Sequence, residues 1–217
     1  MFLDAREITE RIRIALRVAA ILLAAALVAW LTDADTAIFR SIRASDTLTA
    51  LHPLFDAYSK WGPAFFYLPF LGVLVFGLLR KQPPWRTLGL AYLMSQLIGS
   101  VLLVHLIKLA TRVPRPHAVH LPHAFFQVGG FVQSLHSSFP SSHAADAAIG
   151  ALFAWALLRS RIASIAALAA VLLMALSRLL AGKHDLSDVL VGIALGIATA
   201  SLVLRFYLLP RWEKQQA

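Results

Sequence analysis

The sequence predicts an all-α, polytopic membrane protein with six transmembrane helices and an interfacial amphipathic helical segment between spans one and two. Three observations point there. Residues are 59% hydrophobic and only 14% charged, with a mean hydropathy of +0.72, whereas a soluble domain carries roughly a quarter charged residues. Six apolar runs stand out along the chain. Lysine and arginine gather at alternate ends of those runs, the asymmetry that sets membrane topology. The plan covers residues 1–217 as one integral membrane domain.

The first run, 14–31, opens among Arg11, Arg13 and Arg17, as a signal peptide would. Trp30, Leu31, Thr32 and Asp33 do not form a small-x-small cleavage site, so it reads as a retained span. Residues 32–62 place Ile38, Phe39, Ile42, Leu48, Leu51, Leu54 and Phe55 among polar residues, the pattern of an amphipathic helix or pair lying in the interface. The second run, 63–79, is slightly short of the roughly 20 apolar residues that cross a bilayer. The third is 88–109. A long connection follows, 110–142, rich in Pro, His and Phe and containing Gly129-Gly130. The fourth run, 144–158, is clearly short and holds Asp146. The fifth and sixth are 162–180 and 189–209. The turns predicted on the inner side are short, so the four C-terminal helices are expected to be sequential antiparallel neighbours.

Orientation follows from the flanking cations. With the N-terminus in the cytoplasm, twelve of the twenty Lys and Arg fall inside: Arg6, Arg11, Arg13, Arg17, Arg80, Lys81, Arg86, Arg159, Arg161, Arg205, Arg211 and Lys214. Both termini are then cytoplasmic. The formal net charge of +9 is accounted for by topology and by the cations of the motifs below. No RNA- or DNA-binding motif is present, so no nucleic-acid partner is expected. The chain has no cysteine, which excludes a disulfide, a thiolate metal site and a cysteine nucleophile.

Three polar segments interrupt this apolar plan: Lys108-x6-Arg115-Pro116, Pro140-Ser141-Ser142-His143, and Ser177-Arg178-x5-His184-x3-Asp188. Charges beside hydrocarbon are costly and usually functional. In the predicted topology the third and fifth spans end outside and the fourth and sixth begin there, so all three segments reach one outer face. His184 and Asp188 are four apart at a helix start and share a face. The carboxylate can accept from one ring nitrogen and leave the other free to attack phosphorus. Lys108, Arg115 and Arg178 can neutralise the equatorial oxygens of a transferring phosphoryl group. Ser141 and Ser142 add donors at the mouth of the fourth helix, whose dipole favours an anion. His143 can give a proton to a leaving oxygen and later take one from water.

These segments resemble the tripartite signature of the type 2 phosphatidic acid phosphatase superfamily: K-x6-R-P, P-S-G-H, and S-R-x5-H-x3-D. Every position is present at the right spacing, with Ser142 where the family usually has glycine. The resemblance implies that His184 is the nucleophile and forms a phosphohistidine, that Asp188 orients it, and that His143 is general acid and then base. It further implies that Lys108, Arg115, Ser141, Ser142 and Arg178 bind phosphate, and that the enzyme needs no metal or other cofactor.

The expected partner is a membrane lipid phosphate in the bilayer, of polyprenyl phosphate or diphosphate, phosphatidate or phosphatidylglycerol phosphate type. The expected place is a bacterial inner membrane, with the site on the extracytoplasmic face. Alternatives are a lipid phosphotransferase or lipid A phosphatase with the same site, and a non-enzymatic lipid transporter. Single residues also have plainer readings. Arg178 and Lys183 suit snorkelling cations at a helix end, and His143 suits an interfacial histidine. His105 and Asp146 are candidates for supporting the site or for internal pairing. The spacing of His117, His120 and His123 suggests a metal cluster, but no carboxylate or cysteine is near, and a loop lining a polar pocket is the preferred reading.

Overall fold

The computed structural model describes residues 4–116 and 138–216, and the regular elements among them are helical. The first helix, α1, spans Ala5–Leu31. Asp4 caps it by accepting from the Glu7 N–H at 2.8 Å, and Glu7 accepts from the Asp4 N–H at 3.2 Å, a reciprocal box that satisfies two free donors. Its buried stripe is Ile8, Ile12, Ala15, Ala19, Ala26 and Ala29, while Ile21, Leu27 and Leu31 face outward. Apolar side chains on the outer surface are what a bilayer-embedded helix shows.

Three short helices follow: α2 (Ala34–Arg43), α3 (Asp46–Ala50) and α4 (His52–Trp61). Gly62 and Pro63 then lead straight into α5 (Ala64–Leu79). Residues His52–Leu79 therefore form one run long and apolar enough to cross a membrane. The expected interfacial stretch, 32–62, is thus divided, with α4 belonging by length and composition to the second membrane run.

Helix α6 (Pro83–Ser95) starts on two prolines, whose missing N–H groups cost nothing in a first turn. It continues through a π-helical stretch, Gln96–Leu103, into α7 (Val104–Thr111). After 138–141 come α8 (Ser142–Leu157), α9 (Arg161–Leu180) and α10 (Leu186–Val203). A second π-helical turn, Leu204–Leu208, joins α10 to α11 (Leu209–Gln216). Among the described residues five runs have membrane length and apolarity: Ala5–Leu31, His52–Leu79, Pro83–Thr111, Arg161–Leu180 and Leu186–Lys214. The fourth predicted run is not among them. Its helix, α8, has 16 residues, about 24 Å at 1.5 Å per residue, against a hydrocarbon core of about 30 Å.

What α8 lacks in length it has in burial. Ala144 through Phe153 are all buried, as are Ala156 and Leu157. It is the central helix. One apolar cluster, including Ile8, Ile12, Tyr92, Phe153 and Leu204, fills one side of it, and a second, including Phe66, Met174, Val189 and Ile193, fills the other. Phe70 stacks on Tyr92 with ring centroids 4.3 Å apart.

The expected chain of sequential neighbours is corrected at its last step. Helices α8 and α9 do pack together, but α9 and α10 scarcely touch, because α10 packs against α8 and α1 instead. Small residues explain the preference. A Cβ on Gly192 would strike the Ser141 carbonyl oxygen, and one on Gly196 would lie 2.5 Å from that of Ala145. This four-residue glycine spacing lets two backbones approach closely in a membrane bundle. Because 141 meets 192 and 145 meets 196, α8 and α10 run parallel and begin at the same end.

Candidate active site

Four helix ends meet at that end of the bundle. Helix α7 carries Lys108 in its last turn and stops at Arg112, which is left-handed at φ 49°. Helix α9 carries Arg178 in its last turn. The chain then turns through Gly182 at φ 64°, a conformation that costs glycine little, and delivers Lys183 and His184 to the start of α10. Ser141 caps α8 by accepting from the Ala144 N–H at 3.4 Å. Its own N–H donates to the Asp188 carbonyl at 3.0 Å, which ties the first turns of α8 and α10 together.

His184 Nδ1 lies 3.2 Å from Asp188 Oδ2. That contact assigns the Nδ1–H tautomer and leaves the Nε2 lone pair free. The same carboxylate oxygen accepts from the Asp185 N–H at 3.2 Å and from the Ser138 hydroxyl. Ser138 Oγ also sits 3.4 Å from His184 Nδ1. All three side chains are buried, Ser138 completely. Burial holds the His184 imidazole down to about 4, against the opposing pull of Asp188 and with the help of Arg178 and Lys108. The ring is therefore neutral at ordinary pH, the form in which it can act as a nucleophile. Burial, followed by the charges of Asp188 and Asp35, raises the Asp185 carboxyl to about 7.

The cations surround this pair. Lys108 lies within electrostatic reach of Arg115, Asp188 and Arg178. Burial holds the Arg115 guanidinium below its usual range, with Asp188 acting the other way. Arg178 donates to Ser59 Oγ on α4, and its Nε has no partner among the described residues. His143 lies within electrostatic reach of the cations Arg178, Lys108 and Lys183 and of the His184 ring. Arg115, Ser142 and His143 are half-buried where Lys108, Arg178 and His184 are buried, so the first three face the open side.

Asp146 and His105 stand apart from this group. Tyr67, Ser100 and His105 are the groups nearest the Asp146 carboxyl, and its Oδ1 has no partner among the described residues. His105 Nδ1 lies 3.2 Å from the Ser100 carbonyl oxygen. His117, His120 and His123 lie outside the described residues.

The sequence model of the PAP2 superfamily matches residues 86–212, more than half of the chain. The chain belongs to the PAP2 superfamily. Its long apolar helices make it an integral membrane member, and the superfamily makes it a membrane phosphatase. Two crystal structures share its fold. LpxE of Aquifex aeolicus is 22% identical with a TM-score of 0.53, over 79% of this chain and 94% of that one. The first transmembrane PAP2 type phosphatidylglycerolphosphate phosphatase from Bacillus subtilis is 23% identical with a TM-score of 0.59, over 90% and 95%. No curated protein matches.

Several residues of this PAP2 site carry no signal in the sequence. Ser138 is a plain serine two residues before Pro140. Asp35 on α2 accepts from the Ser187 N–H at 2.9 Å and from its hydroxyl at 2.5 Å, capping α10 from a distant part of the chain. Ser59 and Asp56 on α4 hold Arg178 and Lys183. Each partner is more than a hundred residues away in sequence, except that of Ser138, whose residue type was too common to single out.

Proposed function

We propose that this phosphatase hydrolyses a lipid phosphate or diphosphate, of polyprenyl diphosphate, phosphatidate or phosphatidylglycerol phosphate type, without a metal and through a phosphohistidine. The observation that carries this reading is the buried His184–Asp188 pair among Lys108, Arg115 and Arg178. His184 Nε2 attacks phosphorus as the bond to the leaving oxygen breaks, and His143 gives that oxygen a proton. Water then attacks the phosphohistidine, His143 takes its proton, and the P–N bond breaks to release inorganic phosphate. Lys108, Arg115, Arg178, Ser141 and Ser142 hold the phosphoryl oxygens, aided by the N-terminal dipole of α8. Asp188, steadied by Ser138 and the Asp185 N–H, keeps the histidine oriented.

A lipid substrate suits a site at the end of a membrane bundle, where the head group lies in the interface and the tail stays in hydrocarbon. In this reading α8 is a sixth span, short because protein and not lipid surrounds it, and α2 and α3 lie in the interface. The site faces the extracytoplasmic side and both termini face the cytoplasm.

Phosphate release from a panel of lipid mono- and diphosphates in detergent, with chelator present, tests this. Release from at least one lipid, unaffected by chelator and inhibited by vanadate, is expected. Adding an acceptor lipid and following labelled phosphate separates hydrolysis from transfer. His143→Ala should slow monophosphate esters more than diphosphates, since a phosphate leaving group needs less protonation. Equal loss on both contradicts the assignment of His143 as the acid.

A further inference from the structure

The site end of the bundle holds one more charged pair, whose acidic partner lies outside the residues that the family match covers. Lys183, next to His184, pairs through Nζ with the Asp56 carboxylate on α4. Ser59, three residues on, accepts from Arg178. His52 Nε2 lies 3.4 Å from the Ala181 carbonyl oxygen. Positions 52, 56 and 59 share one helix face, so a single face of α4 grips the turn between α9 and α10.

Burial separates two charged layers. Lys108, Arg178 and His184 are 7%, 3% and 2% exposed, whereas the side chains of Lys183 and Asp56 keep 34% and 42% of their exposure. Lys108, Arg178 and the half-buried Arg115 already match the three equatorial oxygens of one phosphoryl group. Lys183 is a fourth, and its charge reaches His143, the group placed at the leaving oxygen. A half-exposed ion pair contributes little to stability, because solvent screens it. A second anion can therefore draw Lys183 away from Asp56 at little cost.

We propose that Lys183, held in readiness by Asp56, is a subsite for the second phosphate of a lipid diphosphate, on the leaving-group side. The inference rests on the phosphatase reading above and narrows its substrate class to diphosphates. In the first step the bridging P–O bond breaks, the terminal phosphoryl group goes to His184, and the lipid monophosphate departs with an added negative charge. Lys183 neutralises that charge, which lessens the need for protonation by His143. A purely structural clip between α4 and the turn would leave substrate preference untouched.

Farnesyl monophosphate and farnesyl diphosphate share a tail and differ only in the second phosphate, so the purified full-length protein is assayed on both. The wild type should favour the diphosphate. In Lys183→Met the diphosphate-to-monophosphate ratio of kcat/KM should fall at least tenfold, and Lys183→Arg should restore most of it. Asp56→Asn, which frees Lys183, should lower KM for the diphosphate severalfold. A ratio unchanged in Lys183→Met, whether both activities fall together or neither does, overturns the subsite. A wild type that releases phosphate from lipid monophosphates but not from diphosphates overturns the subsite alone. A wild type inactive on every lipid phosphate overturns the phosphatase reading and the subsite with it.

Discussion

Asp188 Oδ2 accepts from three donors, His184, Ser138 and the Asp185 N–H. Hydrogen bonds to a charged group are worth about 1.5–3 kcal/mol each, and about 1.4 kcal/mol is tenfold in rate. Ser138→Ala should therefore lower kcat about tenfold with little change in KM, because it loosens the histidine and not the phosphate cradle; steady-state kinetics checks this. The neutrality of His184 has its own signature. Its pKa of about 4 lies below the usual histidine value, chiefly through burial, so the folded protein binds fewer protons there than the unfolded chain. Stability from this group is full above about pH 6.5 and is lost as pH falls toward 4. In an NMR titration of ¹⁵N-histidine, assigned with His184→Gln, the His184 resonances should stay in the neutral form down to pH 5. Protonation near pH 6.5 would contradict the burial argument. The histidine–aspartate spacing was legible because four residues at a helix start bring two side chains together, although His184 itself precedes the Asp185 cap of α10. Ser138 was not, since an uncharged serine in a loop carries no signal until the fold sets it beside a carboxylate.

At the scale of elements, the apolar runs foretold the helices but not their neighbours. Sequence order favoured contact between α9 and α10, yet the all-round burial of α8 places it between them. The signal was present in Gly192 and Gly196, whose spacing permits close approach, but which helix fills the gap depends on the facing Ser141 and Ala145. Gly192→Leu should therefore be far worse than an ordinary helix substitution. It forces α8 from α10 at the point where Ser141 bonds Asp188, and overpacking costs about 1–3 kcal/mol or more. The thermal midpoint in detergent should drop by several degrees and activity should fall with it. Gly72→Leu, at a site with nothing within 4 Å of an added Cβ, should change neither. Similarly, α4 read as part of an interfacial stretch because apolar residues alternate there with polar ones, whereas Gly62 and Pro63 keep helical dihedrals and lead α4 into α5. Its three polar contacts to the α9–α10 turn could not be read from amphipathic pattern alone.

The whole molecule separates two chemistries by end. The end opposite the site ties α1 to the close of α8: Arg11 donates to the Trp155 carbonyl, and Arg159 pairs with Glu7 at 3.1 Å. Several of the cations assigned to the cytoplasm lie there, which supports a site on the other side of the membrane. The absence of cysteine makes the wild type a clean background for labelling. In intact cells a membrane-impermeant maleimide should modify Thr49→Cys, near the site end, but modify Gln82→Cys only after permeabilisation. The reverse pattern would invert the topology. The proposed orientation rests on charge bias along the chain. The meeting of four helix ends around the His184–Asp188 pair depended on packing that no single segment encodes.

The decisive measurement is rapid acid-free quenching of turnover with a lipid phosphate labelled with ³²P at the scissile phosphorus. The wild type should carry an alkali-stable, acid-labile phosphoramidate at His184, and His184→Ala should show neither label nor turnover. Undiminished turnover in His184→Ala, or a wild type that turns over with its label on another residue, would contradict a phosphohistidine mechanism.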